Sequence, residues 1–314
     1  MSKNLLITGG LGYIGSFTCK NYLLKNKKKI FVIDNLSRGN NFAKKFSSSK
    51  IINISNKKVI KILLKKKIET VMHLASFTCV RESVLKKKKY QNDYNDQIKF
   101  IKNLKQTNVK NFIFSSSLSI FEKNKYKKNL STYSKNKFKI EKYLKKISSK
   151  NFKVIILRYP NVVGSDPHGR LGEKNNFINR IIPNFYKKIK SQRMIDLYYN
   201  FDDKSFPKRN YLHVEDISEI NLKVLENINL FKKNFYTFNI YNRKQYSNND
   251  IMRIISKLLN KKPIFQLKKI DKRESMSQIS NTKNNLLSMI KHKLKYKDIK
   301  KIIETNKKWF KKIY

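Results

Sequence analysis

Tyr133 and Lys137 stand four residues apart in Tyr133-Ser134-Lys135-Asn136-Lys137, a segment whose pattern predicts a helix, so both side chains project from one face. A free phenol ionises near pH ~10, too high for a base at neutral pH, but a neighbouring ammonium favours the phenolate. Such a tyrosine can take the proton of a secondary alcohol while hydride leaves the same carbon. Ser117 closes the run Ser115-Ser116-Ser117 at the end of a predicted strand and could hold that oxygen by hydrogen bonding. In a chain with 17 Tyr and abundant Lys the pair alone carries little weight. Its weight comes from what precedes it.

Thr8-Gly9-Gly10-Leu11-Gly12-Tyr13-Ile14-Gly15 follows a predicted strand and opens a predicted helix. Gly9, Gly12 and Gly15 allow, in turn, a tight turn, close approach of backbone to a pyrophosphate, and close packing of helix on strand. The helix N-terminus then offers unpaired N–H groups to the phosphates. Asp34 lies 19 residues beyond Gly15, at the end of the second predicted strand. A carboxylate there accepts from ribose hydroxyls and repels a 2′-phosphate, which favours NAD over NADP even with Arg38 nearby. The positive ring of NAD would further favour the Tyr133 phenolate.

These groups need a scaffold. Strands are predicted at 4–8, 30–34, 50–54, 70–74, 111–116 and 152–157, with helices near 14–25, 57–67, 95–106 and 133–148. Six strands with crossover helices fit an α/β fold with a Rossmann-type doubly wound parallel sheet. The alternation fails after Arg158. A Gly/Pro-marked loop follows, then a helix over 177–189, strands at 196–199 and 210–214, a helix from 215, a strand at 236–241, a helix over 248–260 and a last helix from 297. The expected division is a dinucleotide-binding domain over 1–160, rejoined by about 210–228, and a smaller α/β substrate domain over 161–314.

The chain has 314 residues and a net charge of +51, from 72 Lys plus Arg against 21 Asp plus Glu. Ten of the 72 are Arg and 62 are Lys, scattered in runs such as 27–29, 65–67 and 86–89. Nucleic-acid readers concentrate Arg on one face for two-point contacts, so compositional drift explains this charge better than a nucleic-acid partner. No apolar run approaches the ~18 residues of a membrane span, and Leu5–Ile7 leads straight into the glycine turn rather than a secretory leader. Cys19 and Cys79 cannot build a disulfide framework or a zinc cage, and the histidines lack metal spacing. A soluble, cytoplasmic, metal-free enzyme is expected.

Eight stretches together resemble the extended short-chain dehydrogenase/reductases, and among them the UDP-glucose 4-epimerases: TGGLGYIGS (8–16), IDNLSRG (33–39), VMHLAS (71–76), RESV (81–84), NVKNFIFSSS (108–117), YSKNK (133–137), LRYPNVVGSDPHGRLGE (157–173) and KRNYLHVED (208–216). The resemblance implies Tyr133 as base, Lys137 as its partner and Ser117 on the sugar oxygen. It implies NAD contacts at Gly9, Gly12, Tyr13, Ile14, Gly15, Asp34, Asn35, Leu36, Ser37, Arg38, Gly39, Asn53, Ile54, Leu74, Ala75, Ser76, Thr78, Asp93, Tyr133, Lys137 and Pro160. It places Ser117, Tyr133, Asn161, Tyr199, Arg209 and Arg273 around UDP-glucose or UDP-galactose, and it implies homodimers through the helices around 85–106 and 131–149. The implied reaction is oxidation at C4, rotation of the 4-keto sugar and re-reduction by tightly held NAD.

The chain also departs from the family. Thr78 stands where a lysine is usual, Asp93 where an asparagine is, Pro160 for an aromatic and Asn210 for an aspartate, and only 15 residues separate Ser117 from Tyr133. The usual Gly-Asp after the C-terminal arginine is replaced by Ser275 and Met276. A UDP-N-acetylglucosamine 4-epimerase or another NAD-dependent nucleotide-sugar epimerase is the alternative within enzymes. A basic RNA-binding or inactive dinucleotide-fold protein is the alternative of another class.

Overall fold

The apolar runs become buried strands, and a computed structural model describes residues 4–122, 125–126, 128–173, 180–270 and 285–314. The first half alternates β1 (Leu5–Thr8), α1 (Tyr13–Asn26), β2 (Ile30–Asp34), β3 (Ser47–Ile51), α2 (Lys58–Lys65), β4 (Thr70–His73), α3 (Val80–Leu85), α4 (Lys87–Asn103) and β5 (Asn111–Ser117). A short hairpin, β6 (Phe121–Glu122) with β7 (Lys125–Tyr126), precedes α5 (Thr132–Ile147) and β8 (Lys153–Tyr159). The second half runs β9 (Asn161–Val163), α6 (Ile181–Lys190), β10 (Ile195–Tyr199), β11 (Lys208–His213), α7 (Val214–Glu226), β12 (Phe235–Asn239), β13 (Gln245–Ser247), α8 (Asn248–Leu259) and β14 (Phe265–Lys269). The helices α9 (Leu286–Met289), α10 (Ile299–Glu304) and α11 (Asn306–Ile313) follow.

Seven strands form one sheet in the order β12-β8-β5-β4-β1-β2-β3, with every pairing parallel. The order reverses between β1 and β4, the doubly wound arrangement expected, and the crevice beyond the carboxyl ends of these strands is where such sheets take ligands. Phe17 and Cys19 of α1 and Ile217, Ile220 and Val224 of α7 cover one face. Val59 and Leu63 of α2, Phe100 and Ile101 of α4, and Ile140 and Leu144 of α5 cover the other. Spacings of three to four residues give each helix one apolar side.

After β8 the chain leaves this sheet. β11 pairs parallel with β9 and antiparallel with β13, while β10 and β14 form a separate parallel pair. Ile182, Phe185, Ile251, Ile302, Trp309 and Phe310 fill the core between these strands and α6, α8, α10 and α11. The chain returns to the large sheet with α7 and with β12, which joins β8 at its edge.

Three differences from the sequence reading have physical causes. The third strand lies at 47–51 rather than 50–54 because it is an edge strand whose Ser47-Ser48-Ser49 pair with β2, and an exposed edge needs no apolar run. α4 begins at Lys87 rather than near 95, its first turns being Lys-rich and exposed. α1 has no apolar stripe, since Gly15 through Lys20 are all buried. Lys20 can be buried there because its ammonium meets Asp166 at 3.4 Å and also Glu215 of α7, while Arg170 holds Asp166 from the other side at 2.6 Å.

Two histidines tie this architecture to pH. His73 lies among Phe100, Phe112 and Phe114, its Nδ1 on Thr8 Oγ1 at 2.7 Å and Nε2 on Gln97 Oε1 at 3.3 Å. Burial, helped by the charge of Lys137, pulls its pKa from 6.5 down to about 3. Burial also brings His213, beside Tyr296, to about 3. The unfolded chain takes up these protons where the folded chain refuses them. The stability they carry is therefore complete above pH ~6.5 and is lost as pH falls toward ~3. Urea titrations should show the unfolding free energy falling by about 2 kcal/mol between pH ~6 and ~5, with a shallower slope in His73→Gln.

Candidate active site

The carboxyl ends of β1, β4, β5 and β8 open into a cavity of about 740 Å³, whose other wall comes from β9, α6, β10 and β11. On the sheet side the glycine turn shapes it. Gly9 has φ +70°, and a Cβ there would stand 2.6 Å from the Ala75 nitrogen; a Cβ on Gly15 would stand 2.3 Å from the Gly9 carbonyl. Gly12 stands just before α1 with no side chain to cap it, and the first turn holds no acidic residue, so the helix end is open to an anion. This cradle, filled by any larger residue, fits the pyrophosphate of a dinucleotide.

Asp34 lies at the foot of that cradle, buried, with Oδ2 accepting from Leu11 N at 3.0 Å and Oδ1 from Leu36 N at 2.7 Å. Burial raises its pKa and these backbone donors partly restore it. The carboxylate thus joins the glycine turn to the loop after β2. Leu36, Ser37, Arg38 and Gly39 of that loop line the cavity, as do Tyr13, Ile14, Leu74, Ser76, Thr78 and Pro160. The Tyr13 hydroxyl donates to the Gly164 carbonyl at 2.5 Å, pinning the loop after β9, and Arg38 pairs with Glu82 at 2.6 Å.

Other expected cofactor residues stand off the cavity wall. Asn35 is exposed and accepts from Ser37 N at 3.0 Å. Asn53 donates to Asp96 at 3.0 Å and turns the chain into α2 by accepting from Ser55 N, and Ile54 is buried in the core below α2. Ala75 packs over the glycine turn. Asp93 sits behind Ser76, accepting from Ser76 Oγ at 3.1 Å and Gln97 Nε2 at 2.8 Å; burial raises its pKa and the Lys137 charge opposes that.

Tyr133 and Lys137 come from the first two turns of α5, which Ser131 caps by accepting from Ser134 N at 3.3 Å. Both line the cavity beside Ser115, Ser116 and Ser117. Burial raises the Tyr133 pKa, while a hydrogen bond from Ser117 and the charge of Arg180 lower it. Lys137 donates to the Ser115 carbonyl at 2.9 Å, its Nζ 4.7 Å from the Phe114 ring centre, and burial brings it from 10.5 to about 8. Beneath the serines, Arg158 forms a two-point ion pair with Glu141 at 2.9 and 2.5 Å, and Ser116 Oγ donates to Glu141 at 2.5 Å.

Asn161 and Arg209 line the far wall, with Arg209 Nη1 donating to the Lys208 carbonyl at 3.0 Å. Tyr199 packs on Phe201 and Phe206 at 5.2 and 4.8 Å, and its neighbour Tyr198 faces the cavity with Asp196. Strand alternation accounts for this, since Ile195 and Leu197 point into the core. Arg273, Ser275 and Met276 lie outside the described residues. Among the described residues, no group of three or more His, Cys, Asp or Glu could hold a metal ion.

Sequence reasoning missed Glu173, Arg81 and Arg180, all on the cavity wall. A signal existed. In a chain with 62 Lys and ten Arg, Arg38, Arg81, Arg180 and Arg209 all line this one cavity.

Comparison with known proteins finds similar sequences and folds. The sequence pattern of the NAD dependent epimerase/dehydratase family matches residues 5–264. A UDP-glucose 4-epimerase of Pasteurella multocida is 32% identical over 252 residues, covering 71% of this chain and 73% of that one. One from Drosophila melanogaster is 28% identical over 304 residues, 86% and 85% of the two chains. The crystal structure of a Stenotrophomonas maltophila UDP-glucose-4-epimerase with bound NAD and formylated UDP-arabinopyranose shares the fold, with a TM-score of 0.87 at 17% identity over 99% of both chains. A UDP-N-acetylglucosamine 4-epimerase of Methanobrevibacter ruminantium in complex with UDP-N-acetylmuramic acid superposes with a TM-score of 0.81 at 25% identity, covering 100% of this chain and 99% of that one.

Proposed function

This chain belongs to the NAD dependent epimerase/dehydratase family, and from that premise we propose that it interconverts UDP-glucose and UDP-galactose with tightly held NAD. The observation that carries the reading is the meeting of Tyr133, Ser117 and Lys137 with the glycine cradle in one cavity.

The cradle of Gly9, Gly12 and Gly15 and the open end of α1 would hold the cofactor's pyrophosphate, and Leu36 to Gly39 would stand beside its adenosine. When bound, NAD supplies reversible hydride acceptance from C4 of the sugar. Tyr133 takes the proton of the C4 hydroxyl, with Ser117 keeping that oxygen in place. Asn161 and Arg209 grip the UDP, so the nucleotide stays while the sugar turns. Guanidinium forks suit this grip because they meet phosphate oxygens at two points. With the sugar's other face turned toward the cofactor site, Tyr133 returns its proton to the same oxygen as hydride would return to C4 on that opposite face, and the configuration at C4 is inverted.

We read residues 1–160 with α7 and β12 as the NAD-holding unit and the rest as the UDP-sugar-holding unit. Two copies would pair through α4 and α5 in the cytoplasm. No helix among the described residues is long and apolar enough to cross a membrane.

The direct test is incubation of purified protein with UDP-galactose and no added NAD, followed by chromatography. UDP-glucose should form. A folded protein giving none, even with NAD supplied, overturns the reading. UDP-N-acetylgalactosamine in a parallel arm tests for the N-acetyl sugar.

A further inference from the structure

Glu82, the acid of the RESV stretch (81–84), reaches the cavity only through Arg38. Arg38 Nη2 donates to both Glu82 carboxylate oxygens at 2.6 Å, and the guanidinium carbon lies 5.3 Å from the Phe77 ring centre. The two side chains are 16% and 12% exposed. Glu82 is held from behind as well. Lys89 Nζ donates to its Oε1 at 2.9 Å, and the Tyr90 hydroxyl donates to its Oε2 at 3.0 Å. That hydroxyl accepts from Cys79 N at 3.0 Å, and Cys79 Sγ accepts from Glu82 N, which fixes the first turn of α3. Burial alone would raise the Glu82 carboxyl, but the Lys89 and Tyr90 donors and the Arg38 charge hold it below its usual value. Glu82 is therefore an anion at neutral pH.

Arg38 stands where two dinucleotides can be told apart. It lies four residues beyond Asp34, in the loop after β2. In dinucleotide folds the carboxylate that ends this strand accepts from a free ribose 2′-hydroxyl, and an arginine near it accommodates a 2′-phosphate. Here Asp34 is 6% exposed, its two oxygens already accepting from Leu11 N and Leu36 N. Arg38 lines the cavity.

Resting on the reading of NAD as the held cofactor, we propose that Glu82 sets the preference for NAD over NADP by withholding Arg38 from a 2′-phosphate. It does so in two ways. Its oxygens occupy the Nη2 donor that a phosphate would need, and its charge repels an incoming phosphate. The Phe77 ring supports the guanidinium in this position. To take NADP, the chain would have to break the pair or bring two anions to one cation. NAD, with a hydroxyl at the same place, leaves the pair intact. Glu82 thus acts on the cofactor through Arg38 and is a positioning residue.

The test reads the captured dinucleotide and needs no turnover. Wild type and variants are synthesised in a cell-free system holding equal, excess NAD and NADP, so each chain folds around the one it prefers. The purified chains are denatured and the released dinucleotides separated by chromatography. Wild type should release NAD almost alone. Glu82→Gln keeps the shape and one acceptor oxygen but drops the charge, and should raise the ratio of NADP to NAD by about tenfold or more. Arg38→Met added to Glu82→Gln should abolish that rise, because the guanidinium released from Glu82 is what takes the phosphate. An unchanged ratio in Glu82→Gln, a rise that survives Arg38→Met, or a wild type that releases the two in like amounts overturns the proposal. Should Glu82→Gln fail to fold, Glu82→Asp decides, since the shorter carboxylate falls short of Arg38: a raised ratio supports the proposal and an unchanged one overturns it. A chain that releases neither dinucleotide overturns the proposal and the cofactor reading together. Release of NAD without conversion of UDP-galactose sinks the epimerase reading alone and leaves the ratios fully informative.

Discussion

Tyr133→Phe should lower the rate of C4 epimerisation by about 10²–10⁴-fold while leaving NAD content and UDP-sugar affinity nearly unchanged. The substitution deletes one oxygen and keeps the ring, which is buried beside Ser117. Packing is retained, and what disappears is the group that can accept the proton from the C4 hydroxyl. A loss of that size corresponds to about 3–5 kcal/mol of transition-state stabilisation. The measurement is conversion of UDP-galactose under saturating substrate, with bound NAD read by its release on denaturation. A drop in kcat at constant KM and constant NAD content is expected. A variant within a factor of two or three of wild type would remove Tyr133 from the chemistry and with it the proposed mechanism.

The largest effect on stability should come from Glu141→Leu. Glu141 and Arg158 are buried, with side chains 5% and 10% exposed, and meet at two points. Removing one partner of such a pair costs about 3–5 kcal/mol because the other charge remains in a dry site. Arg158 keeps weaker contacts, with Tyr126 at 3.2 Å and Asn239 at 3.3 Å, which places the expected loss near the lower end, about 3 kcal/mol. Urea unfolding should register it as a shift in midpoint at constant slope. Restoring charge balance with Arg158→Met in the same chain should recover most of the loss. If the double variant is as unstable as the single, the pair's value lies in packing rather than charge.

Much of the large sheet was legible in the sequence because its central strands are short continuous apolar runs buried on both faces. Leu5–Thr8, Ile30–Asp34 and Thr70–His73 fall where those runs predict them. β3 was misplaced by three residues because serines at an exposed edge leave no hydropathy signal. Lys20 could not be recognised as a buried residue, since the carboxylates that neutralise it are 146 and 195 residues away in sequence. The chemistry at the sheet's carboxyl edge was easier to find, as Gly9 to Gly15 and Tyr133 to Lys137 are local patterns. The facing wall was harder. Whether Tyr198 or Tyr199 faces the cavity depends on strand parity, and Arg180 owes its place to contacts with Thr78 and Glu173 that no short-range spacing encodes.

The late return of the chain to its large sheet orders events during synthesis. β8 is complete at Tyr159, but the strand that covers its outer edge, β12, spans Phe235–Asn239. At about 5–20 residues per second, a ribosome leaves the apolar edge carrying Ile155 and Leu157 uncovered for several seconds after the first six strands have emerged. During that interval the nascent sheet presents a ready template for pairing with another strand. The same topology makes the seventh strand a seal: once Phe235–Asn239 has docked, the intervening wall with α6 and β11 is held at both of its ends by a single sheet.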